Sequence, residues 1–365
     1  MDKRDVKNVF KVEYNGKKIT LRHLATQTAG LPKMPDNFDF SPKNLTNPYI
    51  HYPVEKLYEF LSSYVLKYEP GEHYEYSNLG MGLLGYILTL ITDQSYEELI
   101  KDKILNKLSM YSSGTTLTSE MKNNLAFGYA LKKQTLNWDF TPVFEGAGAI
   151  KSSVEDMIKF LAANMGLTDT PLYKFMNACH VEQHATPLAE YKICFGWHIR
   201  QRDGNALIFH NGGTGGYRSF VGFDSKTNKG VVILTNSTDE FPDELGLYIL
   251  DPIHYKPAQL FYDESLNNVE YLKKFTGDYE LIPSTDTLPK VGLHLELRDG
   301  KLFGDISMPG QENQTVNLLP VKKNVFLFKG APSQWSITFI LDEKTQKVAK
   351  LEWDQIEITF TGFPK

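Results

Sequence analysis

Hydrophobic periodicity changes once along this chain, near residue 270, and that change limits the fold more than any other feature of the sequence. Upstream of it, helical spacings alternate with short apolar runs. Tyr96, Leu99, Ile100, Ile104, Leu105 and Leu108 recur at helical spacing, which predicts a helix over Asp93 to Met110. Ser152-Ser153-Val154-Glu155-Asp156 reads as a helix start, because a serine cap is followed by acids that suit the positive end of the helix dipole. Phe220 to Phe223 and Val231 to Leu234 are apolar runs joined by Asp224 to Gly230, which predicts antiparallel strands with a longer turn. Downstream only period 2 remains. Leu293, Leu295 and Leu297 alternate with His294, Glu296 and Arg298, and Asp299-Gly300 then makes a tight hairpin turn. Val325 to Phe328, Ile337 to Leu341 and Val348 to Phe360 continue as short strands of a β-meander that curls into a small barrel or sandwich. Two domains are expected, one α/β over residues 1–251 and one all-β over residues 271–365, with residues 252–270 as connector.

Composition bears on partners more than on fold. The charge sum, 39 − 44 = −5, provides no basic field to hold a polyanion, so nucleic acid is not an expected partner. Cys179 and Cys194 have no CxxC spacing and read as two reduced, partly buried thiols. The longest apolar stretch, Leu79 to Ile91, has thirteen residues with three glycines inside it. A membrane-spanning helix needs about 20. Met1-Asp2-Lys3-Arg4-Asp5 leads into no apolar run, so no secretory signal is expected and the chain reads as soluble.

Three stretches of the first domain bear on chemistry. Tyr74-Glu75-Tyr76-Ser77-Asn78 places a phenol and an amide two residues apart, so Tyr76 and Asn78 can point into a common cleft. The phenol can relay a proton and the amide can hold a carbonyl. On pattern alone the same residues read first as a helix start, with Ser77 or Asn78 as the cap. His210-Asn211-Gly212-Gly213-Thr214-Gly215-Gly216-Tyr217 lies at the junction of two strands, and its glycines let backbone N–H groups approach an oxyanion. A phosphate cradle and a plain glycine-rich turn are the other readings of that run. Glu145 to Ser153 supplies small residues feeding a helix and by itself signals close packing.

Two patterns point elsewhere. Cys179-His180-Val181-Glu182-Gln183-His184 sets two histidines at the spacing that grips zinc on a helix, but no third ligand is near, so no metal is expected. Ser119-Glu120-Met121-Lys122 is the only Ser-x-x-Lys, and it lies in a polar, loop-like stretch that reads as surface.

Several segments carry a resemblance in consistent order over residues 19–240: Ile19 to Pro32, Pro70-Gly71 through Tyr76-Ser77-Asn78-Leu79-Gly80, Leu108-Ser109-Met110, and Glu145 to Phe160. Phe195-Gly196-Trp197, His210 to Gly213 and Val231 to Asn236 complete it. Together they resemble the serine β-lactamase and penicillin-binding-protein-like hydrolases, on the branch of class C β-lactamases, D-alanyl-D-alanine carboxypeptidases and esterases. The resemblance implies an α/β (α+β) fold, a β-lactamase/transpeptidase-like antiparallel sheet flanked by helices. The tail after Phe275-Thr276-Gly277-Asp278-Tyr279 is similar to a β-barrel domain often appended to such hydrolases. The implied chemistry is acyl transfer on a small-molecule or peptide substrate, without a cofactor. In it Tyr76 transfers a proton and the Gly213 N–H is a backbone oxyanion donor, while Asn78, His210, Gly212 and Thr214 bind the substrate.

In that family a Ser-x-x-Lys helix precedes the segment that Ile19 to Pro32 resembles. Eighteen residues precede Ile19 here and none is a serine. The resemblance therefore implies a hydrolase domain incomplete at its N-terminus and inactive as written. Its substrates would be D-Ala-D-Ala-type peptides, β-lactams or small esters, and a histidine at position 210 leans toward the esterase, peptidase and class C side. A non-catalytic protein that binds peptidoglycan-like or small acyl ligands in the same cleft is the alternative.

Overall fold

A hydroxyl or amide cap starts most of the helices, and tight turns join most of the strands. The computed structural model describes residues 12–39, 41, 46–130, 133–187, 190–202, 204–238, 242–253, 262–283, 290–307, 314–329, 336–355 and 358–364. It divides into two compact units, Met1–Thr238 and Asp239–Lys365.

In the first unit, β1 (Glu13–Tyr14) pairs with β2 (Lys17–Lys18) and is followed by α1 (Leu21–Ala25), α2 (Val54–Ser63) and α3 (Asn78–Thr92). Leu24, Leu57, Leu61, Leu79 and Leu83 from these helices share one core with Tyr52 and Phe144. Asp93 ends α3 in the left-handed conformation, and Ser95 with Glu98 closes a capping box that starts α4 (Tyr96–Ile100). The helix expected over Asp93 to Met110 therefore begins later, and it also changes pitch. After Ile100 the chain widens into a π turn, Lys101–Leu105, and tightens into a 3-10 turn, Asn106–Leu108. The wide turn brings Ile100 and Leu105, five residues apart, into one small core with Leu108 and Met110.

The Ser119 stretch, read as loop-like, is a six-residue helix, α5 (Ser119–Asn124), started by the Thr118 cap. None of its residues is buried, so no apolar stripe announces it. A short hairpin, β3 (Gly128–Ala130) with β4 (Lys133–Thr135), leads to α6 (Glu145–Gly148). Gly85 of α3 meets Gly146 of α6, where a Cβ on Gly85 would lie 2.9 Å from Gly146 Cα, and a Cβ on Gly82 would lie 2.3 Å from the carbonyl oxygen of Val143, just before α6. Ser153 caps α7 (Val154–Asn164) through the Asp156 N–H at 3.3 Å, and α8 (Tyr173–Cys179) follows.

The sheet of this unit contains β5 (His184–Ala185), β6 (Tyr191–Ile193), β7 (His198–Arg202), β8 (Asn205–Thr214), β9 (Tyr217–Asp224) and β10 (Lys229–Thr235). Its order is β10-β9-β8-β7-β6-β5 and every pairing is antiparallel. The expected strands over Phe220 to Phe223 and Val231 to Leu234 lie inside β9 and β10. Helix α7 covers one face, where Leu161 packs with Cys194, Trp197, Ile199, Ile208 and Phe223.

The second unit holds α9 (Pro242–Leu250), α10 (Val269–Leu272) and eight strands: β11 (Gly277–Pro283), β12 (Val291–Arg298), β13 (Lys301–Ser307), β14 (Gln314–Lys322), β15 (Val325–Phe328), β16 (Ser336–Leu341), β17 (Val348–Gln355) and β18 (Ile358–Pro364). β11 pairs with both β12 and β18, which closes a barrel and settles the choice between barrel and sandwich. Asp299 and Gly300 turn the β12–β13 hairpin with φ of 50° and 73°, both in the left-handed region that this turn requires. Leu293, Leu302, Phe326, Phe339 and Leu351 fill the interior with side chains, as a barrel of this strand number permits. Among the described residues, no helix is long and apolar enough to cross a membrane.

Candidate active site

Ser77 sets one wall of the main cleft. Its Oγ accepts the Gly80 N–H at 2.8 Å and donates to the Pro32 carbonyl at 2.6 Å, and its own N–H donates to Gln27 Oε1 at 2.8 Å. Two backbone bonds run alongside, Gly71 N–H to Thr28 O at 2.7 Å and Glu75 N–H to Gln27 O at 2.8 Å. The 27–32 segment thus holds the 71–77 segment against the start of α3. The cap belongs to Ser77, and the residues on either side of it, Tyr76 and Asn78, both line the cleft.

An aromatic wall stands beside them. Asn78 Nδ2 lies 3.5 Å from Tyr49 Oη. The Tyr49 ring stacks on Phe140 with centroids 4.6 Å apart and tilts against Trp138 at 5.6 Å. Burial first, and then the proximity of Tyr76, push the Tyr49 hydroxyl up to about 12, so it stays protonated at neutral pH.

The opposite wall is the end of β8. β7 begins at His198, opposite Phe209, so β8 runs on through His210–Thr214 beside β9 alone. Thr214 pairs with Tyr217 across a two-residue turn, which makes that pair hydrogen-bonded, and the ladder then alternates. Thr214, Gly212 and His210 bond to β9, while Asn211 and Gly213 turn their N–H and C=O toward the edge that β7 has left. Side chains of β9 crowd the glycines at 212 and 213. A Cβ on Gly212 would lie 2.6 Å from Ser219 Oγ, and one on Gly213 2.3 Å from Arg218 Nη1. Gly216, at φ of 81°, supplies the turn.

His210 Nδ1 lies 2.6 Å from the Asn211 carbonyl oxygen. A carbonyl only accepts, so Nδ1 carries the hydrogen of this bond. The His210 ring stacks on His198, whose Nε2 lies 3.3 Å from Tyr74 Oη. Burial holds the His210 imidazole below its ordinary pKa, and burial followed by the nearness of the second imidazole holds His198 at about 3.

The cleft between these walls has a volume of about 1280 Å³. Tyr76, Asn78, His210, Gly212, Gly213 and Thr214 all line it. Glu145 and Lys151 line its far side, the carboxyl raised first by burial and then by Glu97, the amine lowered by burial. Ser119 and Lys122 are both exposed and neither is among the lining residues. His180 and His184 do not share a helix: His180 follows the end of α8 and bonds Asn164 Oδ1 at 3.0 Å, and His184 opens β5.

Sequence reasoning passed over Tyr49, Trp138, Phe140 and His198. The three wall aromatics come from segments about ninety residues apart and belong to no local pattern. His198 follows Gly196-Trp197 directly, so its place next to a recognised pair was the available signal.

The family profile described as Beta-lactamase matches residues 6–252. Protein flp of Staphylococcus aureus (strain MW2) is 29% identical over 252 residues, which are 65% of this chain and 47% of flp. The chain spans about half the length of the curated relatives it matches. The octameric penicillin-binding protein homologue from Pyrococcus abyssi aligns over 96% of this chain and 80% of its own, with a TM-score of 0.58 and 21% identity. A class C beta-lactamase aligns over 64% and 67%, with a TM-score of 0.55 and 21% identity. These structural likenesses show a β-lactamase/transpeptidase-like fold.

Proposed function

The chain belongs to the beta-lactamase family, and on that footing we propose that its cleft binds small acyl compounds: D-alanyl-D-alanine-type peptides, β-lactams or small esters. One observation carries this reading. Tyr76 and Asn78 come together with His210 to Thr214, more than 130 residues later in the chain, around a single cleft.

A ligand carbonyl laid along the free edge of β8 meets the Gly213 N–H, a donor suited to a developing oxyanion. Tyr76 supplies the phenol that moves a proton, and the Asn78 amide holds the ligand's polar backbone. His210, Gly212 and Thr214 border the remainder of the ligand. The attacking group of such a reaction is a serine paired with a lysine; helix α5 borders the cleft through Thr118, Glu120 and Met121, but Ser119 and Lys122, the sequence's only Ser-x-x-Lys, are exposed and do not line it. On this reading these 365 residues supply the ligand-binding walls, and binding to them is reversible.

The experiment pairs covalent labelling with equilibrium binding. Fluorescent penicillin and a fluorophosphonate are expected to leave no covalent band, while calorimetry with penicillin reports reversible binding. A covalent adduct on any serine overturns the binding-only reading. Absence of both binding and labelling overturns the acyl site.

A further inference from the structure

We infer that the cleft selects, at His210, ligands that present an N–H or O–H donor, and discriminates against a carboxylate there. A C-terminal amide is then preferred over the corresponding free acid. The inference rests on the acyl-site reading and adds the class of ligand that the site takes.

The selection depends on where His210 carries its hydrogen. Its Nδ1 is committed to the Asn211 carbonyl at 2.6 Å. A neutral imidazole has one N–H, so the opposite edge of the ring, Nε2, is a bare acceptor. The register explains why the Asn211 carbonyl is available for this bond: Asn211 turns away from β9, past the start of β7.

The ring's neighbour keeps it in this state. His210 stacks on a second imidazole, His198, with centroids 5.2 Å apart and planes 30° apart. A stacked imidazole offers no negative charge to draw a second proton onto His210. His198 is itself tied at Nε2 to the Tyr74 hydroxyl at 3.3 Å, and enclosure disfavours the charged form of both rings. Tyr74 lies two residues before Tyr76, so the stack ties that segment to the end of β8.

A carboxylate oxygen placed against a bare Nε2 brings two acceptors together with no hydrogen between them. An amide N–H or a hydroxyl at the same place donates to Nε2. The difference is between a bond made and a desolvated acceptor left without one, which corresponds to roughly tenfold or more in affinity. Lys33, Lys151, Lys159 and Arg218 also line the cleft and are the cations through which a free acid would escape this selection.

The test compares N-acetyl-D-alanyl-D-alanine with its C-terminal amide by calorimetry on the full chain at neutral pH. Nitrogen-15 NMR of the imidazoles reports the His210 tautomer in parallel. The expected result is tighter binding of the amide, by roughly tenfold, with His210 in the Nδ1–H form. The H210K variant, which places a permanent cation there, is expected to shift the preference toward the acid. Equal or tighter binding of the acid by the wild-type chain overturns the selection alone, as does an Nε2–H or doubly protonated His210. Binding of neither compound overturns the acyl-site reading, and the selection built on it falls too.

Discussion

His198 lies between Tyr74 and His210, bonded to the phenol through Nε2 at 3.3 Å and stacked on the second imidazole at 5.2 Å. Two segments that have no sequence contact, the loop before α3 and the end of β8, are thereby joined through one ring. Burial holds that ring at about 3, far below its ordinary 6.5, with the neighbouring imidazole of His210 acting in the same direction.

Acid should therefore weaken the first unit before its carboxylates titrate. The unfolded chain takes up a proton on residue 198 near its ordinary pKa, and the folded chain refuses it until about 3. This contribution is fully present above the ordinary value and drains as pH falls from there toward the folded one. Burial holds His180 at about 4 and adds a contribution of the same sign. The urea midpoint of the first unit is expected to fall between neutral pH and pH about 4, and His198→Phe should flatten that fall. A midpoint that stays constant over this range contradicts the account.

Ser77→Ala should cost about 2 kcal/mol, because one side chain both caps α3 and satisfies the Pro32 carbonyl. Ser77 is only 3% exposed, so water does not readily replace the lost bonds. Equilibrium denaturation of the variant measures this directly. A change below about 0.5 kcal/mol would show that the 27–32 segment is held by its backbone bonds and the Gln27 side chain without the Ser77 hydroxyl.

Local chemistry made much of this fold legible, and long-range packing hid the remainder. Ser153 before two acids and Asp299-Gly300 between alternating leucines act through their nearest neighbours, and both form what their sequence predicts. The π turn after Ile100 answers to a core shared with Ala163 and Met176, which no window around residue 100 contains. Polar α5 has a cap but no stripe, so periodicity is blind to it. In the candidate site, Tyr76, Asn78 and the His210 run were readable as motifs. Tyr49, Trp138 and His198 were not, because their roles come only from partners brought in by folding.

Gly82→Ala should destabilise the first unit by about 2 kcal/mol, since the new methyl would press on the Val143 carbonyl at 2.3 Å. The neighbour is backbone within a buried segment, so it cannot swing aside as a side chain would. Thermal melts of the variant provide the check, and an unchanged or raised midpoint would mean that α3 and α6 can separate freely. Because Glu145 starts α6 and lines the cleft, weaker acyl-ligand binding should accompany the loss of stability.

Ser119→Ala and Lys122→Ala should alter neither ligand binding nor stability beyond about 0.5 kcal/mol. Both side chains are exposed, and neither belongs to the cleft. Calorimetry with the same penicillin distinguishes this from a catalytic role. If Ser119→Ala removed a covalent adduct seen in the parent chain, the placement of the acyl chemistry on the Tyr76 and His210 walls would have to be abandoned.

The end of the sheet carries the last expectation. β10 is its terminal strand among the described residues, and its centre reads Val231-Val232-Ile233-Leu234. Three of these side chains are only half-buried and Leu234 is 38% exposed, so an apolar strand stands at a sheet edge. Such an edge offers both a row of backbone donors and acceptors and an adhesive surface. Natural edges are commonly blunted by a charge, yet the only charged residue of β10 is Lys229, at its first position. Sedimentation of the purified chain should therefore show association that grows with concentration, and Ile233→Lys should reduce it by placing a charge in the middle of the strand. A monomer whose melt is cooperative and independent of concentration would show instead that this edge is already protected.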